Sequence, residues 1–330
     1  MKRILFAASE AVPFIKTGGL ADVVGSLPKC FDKNEYDVRV IIPKYLCIKN
    51  ELASKMVYKT HFYMDIAWNN QYVGVFEMEY EGVVFYFIDN EYYFNGDKPY
   101  GDVKWDIEKF VFFSKAVLSV LPVIGFKPDI IHCHDWQTGM IPVYLKERFH
   151  EGEFFRDIKS IMTIHNLKFQ GVWDVKTVKN ITGLSSYYFA PDKLEAYHDA
   201  NLLKGGIVYA DKVTTVSNTY AEEIKMPFYG EKLDGLMNAR SNCLSGIVNG
   251  IDYDDGDTIN VVRNDNIPTM IIVSDRDEVC LPDQVEEIYD NIACENKAIY
   301  HADSAHIEGV IDDPDAYMNS VESFLNGAGI

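Results

Sequence analysis

Lys16-Thr17-Gly18-Gly19 is the stretch with the clearest chemistry. It follows an apolar run, Arg3–Ala8, that reads as a buried strand, and it precedes Leu20-Ala21-Asp22-Val23-Val24, which has helical character. A strand, a glycine turn and a helix N-terminus in that order present unpaired backbone N–H groups to an anion, most readily a phosphate. Lys16 adds a mobile ammonium, and Gly18 and Gly19 let the backbone approach closely. Asp22 falls in the first helical turn, where a carboxylate suits the dipole. A second set of polar residues closes apolar runs: His132, His134 and Asp135 end one, His165 and Asn166 another. In a strand His132 and His134 share one face, the start of a metal site. No further ligand set accompanies them, so no metal is expected, and polar strand ends lining a cleft is the preferred reading. Asn249, in Asn-Gly-Ile-Asp, and the aromatic run Tyr92-Tyr93-Phe94 complete the candidates.

The elements that must position these residues alternate. Asp22–Phe31 reads as a helix and Asp37–Pro43 as a strand. Val73–Tyr80 and Val83–Ile88 flank the turn signal Glu81-Gly82 and read as hairpin strands. Trp105–Leu121 carries Phe110, Phe113, Val117 and Leu121 on one helical face. Asp129–Asp135, Ser160–Asn166 and Lys212–Ser217 read as strands, with helices at Thr138–Phe149 and Thr219–Ile224. Strands that end in polar residues and hand over to helices describe a parallel sheet with a crevice at its carboxyl ends. Past the acidic junction Asp254-Asp255-Gly256-Asp257, a strand at Thr269–Val273 and helices at Pro282–Asn291 and Tyr317–Leu325 are expected.

Composition narrows the partners. An apolar fraction of 48% supports a packed core rather than disorder. A formal charge of −19 makes nucleic acid and anionic membrane poor partners. An anionic ligand then needs a local reversal of field, such as Lys16 at a helix N-terminus. The six cysteines are scattered without a Cys-x-x-Cys pair, which suits reduced thiols and a cytoplasmic location. No run reaches the length of a membrane span.

The wording Lys-Thr-Gly-Gly-Leu-Ala-Asp-Val resembles the donor loop of the bacterial glycogen synthase and plant starch synthase family. Further segments resemble the same family in order: Asp135-Trp136-Gln137-Thr138-Gly139, Thr163-Ile164-His165-Asn166-Leu167 with Phe169-Gln170-Gly171, Leu203–Ser217 and Gly246–Asp252. The resemblance covers residues 1–253. It implies the N-terminal half of a GT-B fold, two Rossmann-like domains facing a cleft. It also implies transfer of glucose from ADP-glucose to an α-1,4-glucan with retention, without a cofactor. The leaving phosphate is then stabilised electrostatically. On this basis His165 and Asp135 are the catalytic candidates, and Lys16, Gly18, Gly19, Asp22, Asn166, Asn249 and Tyr93 the substrate-binding ones.

Residues 254–330 depart from that pattern. The family's second domain supplies an arginine and a lysine to the diphosphate and a carboxylate near the sugar. No Arg-Leu…Gln-Lys-Gly or Pro-Ser-Arg-x-Glu-Pro-Cys segment follows residue 253, and a Rossmann half takes on the order of 150 residues. Ile267–Cys280 and His301–His306 instead resemble the late strand, acid loop and histidine of an α/β-hydrolase, with Asp277 and His306 in the acid and histidine positions. No Gly-x-Ser-x-Gly elbow precedes them, so the serine is lacking. The expectation is a synthase N-terminal domain, 1–253, fused to a hydrolase-like piece, 254–330. Its transferase activity would be impaired unless a partner chain supplies the second domain. The alternatives are a non-catalytic nucleotide-sugar or glucan-binding protein and an esterase-like hydrolase.

Overall fold

The computed structural model describes residues 1–66, 69–149, 151–249, 269–275, 282–295 and 297–302, with positions 319 and 323. The chain divides into two compact units, Met1–Ile247 and Val248–Ile330.

The first unit is a nine-stranded sheet with helices between its strands. Its elements are β1 (Lys2–Ala7), α1 (Gly19–Ser26), β2 (Tyr36–Pro43), α2 (Asn50–Ala53), β3 (Val57–Ile66), β4 (Asn69–Tyr80), β5 (Val83–Asp89), α3 (Glu91–Phe94) and α4 (Val103–Val123). Then come β6 (Ile130–His134), α5 (Met140–Tyr144), β7 (Lys159–Ile164), β8 (Val172–Asp174), α6 (Val175–Thr182), β9 (Glu195–Ala196) and β10 (Asp199–Asn201). The unit closes with α7 (Leu202–Tyr209), β11 (Lys212–Thr215), α8 (Asn218–Glu223), α9 (Asp234–Ala239) and β12 (Leu244–Gly246). The main sheet runs β12-β11-β7-β6-β1-β2-β5-β4-β3. Its strands are parallel from β12 to β5, and β4 and β3 add an antiparallel hairpin at one edge.

The order explains where a ligand would bind. From β1 the chain builds outward through β2, then returns to lay β6 on the other flank of β1. Loops leaving β1 and β6 therefore diverge, and a crevice opens at their carboxyl ends. The strands that flank it are buried on both faces. Leu5, Phe6, Ala7, Ile41, Ile131 and Cys133 have no exposed surface, which is why their sequences are continuous apolar runs.

Local departures from the expected boundaries have physical causes. Helix α1 begins at Gly19, earlier than expected, and becomes a 3₁₀ turn at Leu27–Cys30, where Pro28 lacks an N–H. Glu81 and Gly82 both take positive φ, 49° and 75°, the signs of a tight hairpin turn. The expected hairpin continues the main sheet, because β5 pairs parallel with β2. Helix α4 starts on Asp102, whose side chain accepts the Trp105 N–H. The single helix expected over Thr138–Phe149 is instead a 3₁₀ turn, the short α5 and a π-helical turn at Leu145–Phe149. Close packing against α7 pins its start: a β-carbon on Gly139 would lie 2.3 Å from the Leu202 carbonyl oxygen.

The second unit contains β13 (Thr269–Ser274), α10 (Pro282–Asn291) and β14 (Lys297–Ala302). The strands pair in parallel, as a crossover helix requires. The expected helix over 317–325 lies outside the described residues, positions 319 and 323 apart. Among the described residues no helix is long and apolar enough to cross a membrane.

Candidate active site

The loop after β1 carries the first part of the site. Glu10 is buried and accepts from the Thr17 N–H, from Thr17 Oγ1 at 2.8 Å and from the Tyr100 hydroxyl at 2.7 Å. The Tyr100 hydroxyl also meets Ser9 Oγ at 2.7 Å. These bonds clamp the loop so that Lys16 is held at the start of α1. Its ammonium pairs with Asp22 at 2.7 Å, and both side chains remain about half exposed. An exposed pair of this kind contributes little stability, so a ligand anion can compete for the lysine at small cost.

Gly18 is extended, with φ −161°, Gly19 opens the helix, and neither takes the left-handed backbone that only glycine favours. Among the described residues, a β-carbon at either position would meet nothing within 4 Å. Among the described residues the segment is therefore an uncapped helix start with bare backbone.

Behind β6 and β7 lies the second part. Asp135 is 8% exposed, and its backbone adopts φ 55° and ψ −175°, a region populated almost wholly by glycine. Holding an aspartate there costs roughly 1–3 kcal/mol. The Asp135 N–H donates to the Thr163 carbonyl at 2.9 Å, and Asp135 Oδ1 accepts the His165 N–H at 2.7 Å. Burial pushes the Asp135 carboxyl up to about 7, against hydrogen bonds from the His165 and Asn166 backbone, with Glu10 adding to the rise. Because β1, β6 and β7 are parallel neighbours, the loops that follow them lie at one carboxyl edge of the sheet. Lys16 is thus tied through Thr17 to Glu10, and His165 to Asp135, on loops that leave neighbouring strands.

Three imidazoles stand beside Asp135. His132 and His134 share a face and stack with ring centroids 4.3 Å apart, and Phe6 of β1 packs on both. His132 Nε2 meets Thr163 Oγ1 at 2.6 Å, and His134 Nδ1 meets His165 Nε2 at 2.9 Å. Desolvation holds His165 down to about 4 and His132 to about 3, and it also holds His134 well below its ordinary value. All three are neutral at physiological pH. His134 Nε2 is buried and has no partner among the described residues. An unpaired acceptor is tolerated better than an unpaired N–H, so the favoured tautomer of His134 carries its proton on Nδ1 and donates to His165 Nε2. His165 then keeps its own proton on Nδ1.

Beyond Asp135, Trp136 walls an open hollow of about 490 Å³, with Phe169, Gln170, Tyr197, Asn201 and Lys232 around it. Four non-glycine residues of its surrounding loops, Tyr197, His198, Glu231 and Lys232, take left-handed backbone. Gln170 is locked by bonds to the Leu167 and Glu231 carbonyls and by the Asn201 amide.

Other expected residues fall elsewhere. Tyr93 is 2% exposed, stacks on Phe112 at 4.6 Å and donates its hydroxyl to Glu108, so it is a core residue and not a ligand platform. The ring faces inward because α3 packs on α4. Asn166 is exposed, but its side-chain oxygen accepts the Lys168 N–H at 3.0 Å, a local turn. Asn249 belongs to the second unit. Asp277 and His306 lie outside the described residues; in that unit His301 Nδ1 meets Asp275 at 2.8 Å. Glu10 and Tyr100 were given no site role from the sequence, and Thr17 only as part of its loop. The one available signal was a carboxylate interrupting the apolar run around Ala8 and Ala11.

The chain is similar to known proteins over this unit. Residues 3–239 match the model of the starch synthase catalytic domain. A glycogen synthase of Lachnospira eligens is 76% identical over 77% of this chain and 53% of its own length. One of Lachnoclostridium phytofermentans is 68% identical over the same shares. The chain thus spans about half the length of these relatives. Among solved structures, the catalytic domain of starch synthase IV from Arabidopsis thaliana, bound to ADP and acarbose, superposes with a TM-score of 0.73. The identity there is 23%, covering 98% of this chain and 72% of the other, a likeness of GT-B fold. None of these matches supports the α/β-hydrolase character expected of the tail. A parallel sheet with its crevice at the β1/β6 switch, and a family match across nearly all of the first unit, lead to one assignment: the chain belongs to the starch synthase catalytic domain family.

Proposed function

We propose that Met1–Ile247 forms the half-site of an ADP-glucose-dependent glucosyltransferase acting on an α-glucan. The observation that supports this reading is that the Lys16 loop, clamped by Glu10, and the Asp135–His165 pair follow neighbouring parallel strands at one sheet edge. Lys16 and the bare start of α1 receive the diphosphate, where an ammonium and a helix N-terminus stabilise the charge that develops on the leaving group. Neutral His165 meets the glucosyl group as a hydrogen-bonding partner. Asp135 holds the His165 and Asn166 backbone in place from a strained conformation, consistent with positioning at a reacting centre. The hollow beside Trp136, with aromatic walls and fixed amides, suits the acceptor chain, since rings stack on the C–H faces of sugars and amides bond their hydroxyls.

Titration calorimetry with ADP tests the donor half-site. Losing one charge-assisted hydrogen bond costs ~1.5–3 kcal/mol, so Lys16→Ala should weaken ADP roughly 10- to 150-fold. Unchanged affinity would remove Lys16 from the site. Incorporation of labelled glucose from ADP-glucose into glycogen tests transfer, which should fall in His165→Ala and Asp135→Asn. ADP binding with no incorporation by the chain would leave the second reading, a nucleotide-sugar-binding protein.

A further inference from the structure

The solvent face of the β3–β4 hairpin carries an aromatic cluster with no role so far. Tyr63 and Tyr72 stand opposite each other across the two strands, with ring centroids 5.9 Å apart. His61 lies nearly parallel to Tyr72, at 5.6 Å and 27°, and its Nδ1 is held by the Tyr58 hydroxyl at 2.6 Å. Gly74 makes the arrangement feasible. A β-carbon there would lie 2.8 Å from Tyr72 Oη and 3.0 Å from Asp89 Cβ, so the Tyr72 ring occupies the space that a side chain would fill. Tyr58 and Tyr63 are 49% and 63% exposed, against the usual burial of such rings. Beside Tyr72 the surface dips into a depression of about 440 Å³ lined by Gln71, Tyr72, Asp89, Asn90, Glu91 and the exposed Tyr92.

We propose that this face binds a neutral α-glucan chain. The rings offer flat surfaces for the C–H faces of successive glucose units, and the carboxylates and amides of the depression meet their hydroxyls. Its lining holds no lysine or arginine, and the nearby Lys44 ammonium is already paired with Asp89 at 3.0 Å, so an anionic ligand is disfavoured. A second copy of the chain is disfavoured as well. Docked through this patch, two copies would bring Asp65, Asp89 and Glu91 of each toward those of the other. The open edge of β3 is broken by a register shift between Tyr58 and Thr60, a feature that blunts strand-to-strand pairing. The choice of an α-glucan among neutral polysaccharides rests on the proposed function.

Native electrophoresis of the full chain through gels containing glycogen reads this binding directly. Retardation is expected, and the Tyr63→Ala/Tyr72→Ala double variant should weaken it at least about 3-fold, with ADP affinity unchanged. Tyr92→Ala, on a different element, should weaken it independently, which guards against local misfolding of the hairpin. Unchanged retardation in both variants would overturn the proposal. So would equal retardation by hydroxyethyl cellulose, or a dimer seen by light scattering that the double variant abolishes. Loss of ADP binding with glycogen retardation intact would count against the proposed function and leave this platform standing.

Discussion

At the scale of single residues, the site depends on groups kept in unusual protonation states. His165, held down to about 4, and His132, held to about 3, stay neutral in the fold while an unfolded chain protonates them near 6.5. As pH falls through 6.5 toward 4, the unfolded state therefore takes up protons that the folded state refuses. Each ring then removes about 1.4 kcal/mol of stability per pH unit. Asp135 acts in the opposite sense. Its carboxyl, raised to about 7, holds a proton in the fold that the unfolded chain releases down to its ordinary value of 3.8, so it gains stability as pH falls through that interval. Asp135→Asn should accordingly steepen the loss of urea-unfolding stability between pH 6.5 and 4; a slope equal to that of the parent would mean the carboxyl is not raised. Imidazole nitrogen shifts followed by NMR should show His165 neutral and protonated on Nδ1 at pH 5.5. An inflection near 6.5 would contradict its burial against His134.

At the scale of elements, close backbone approach decides more than side-chain identity does. Helix α5 and helix α7 meet through glycines, since a β-carbon on Gly206 would lie 3.0 Å from Gly139 Cα. Gly139→Ala should destabilise the fold by about 1–3 kcal/mol in denaturant titration, because the clash is with the Leu202 backbone rather than with a side chain that can turn away. The buried pair Asp106–Lys109 makes a related contribution within α4. Lys109 Nζ donates to the Pro99 carbonyl at 2.5 Å and to Asp106 at 2.6 Å, and Asp106 accepts the Gly101 N–H at 2.8 Å. Together they fix the Pro99–Gly101 strap that carries Tyr100 to Glu10. The periodic face of α4 was legible from its apolar spacing, but this pair was not. An aspartate and a lysine three apart on a helix look like an ordinary solvent-facing pair until the strap covers them.

For the whole molecule, the first unit contains both loops of the candidate donor site. Residues 1–247 alone should therefore unfold cooperatively and bind ADP within about 2-fold of the full chain; a larger loss would show that the second unit takes part in binding. The sequence by itself determined the alternation of strands and helices, the polar ends of β6 and β7, the glycine-rich helix start and the family. These are carried by short-range patterns: apolar runs, turn signals and contiguous motifs. Only the tertiary structure decided that Tyr93 is core, that the backbone at Gly18 and Gly19 stays bare, and that Glu10 and Tyr100 join residues far apart in the chain. The reason is that burial, backbone strain and proton affinity are properties of what surrounds a residue. For Asp135 those surroundings are assembled by pairing β1, β6 and β7 side by side, from segments separated by more than a hundred residues between β1 and β6.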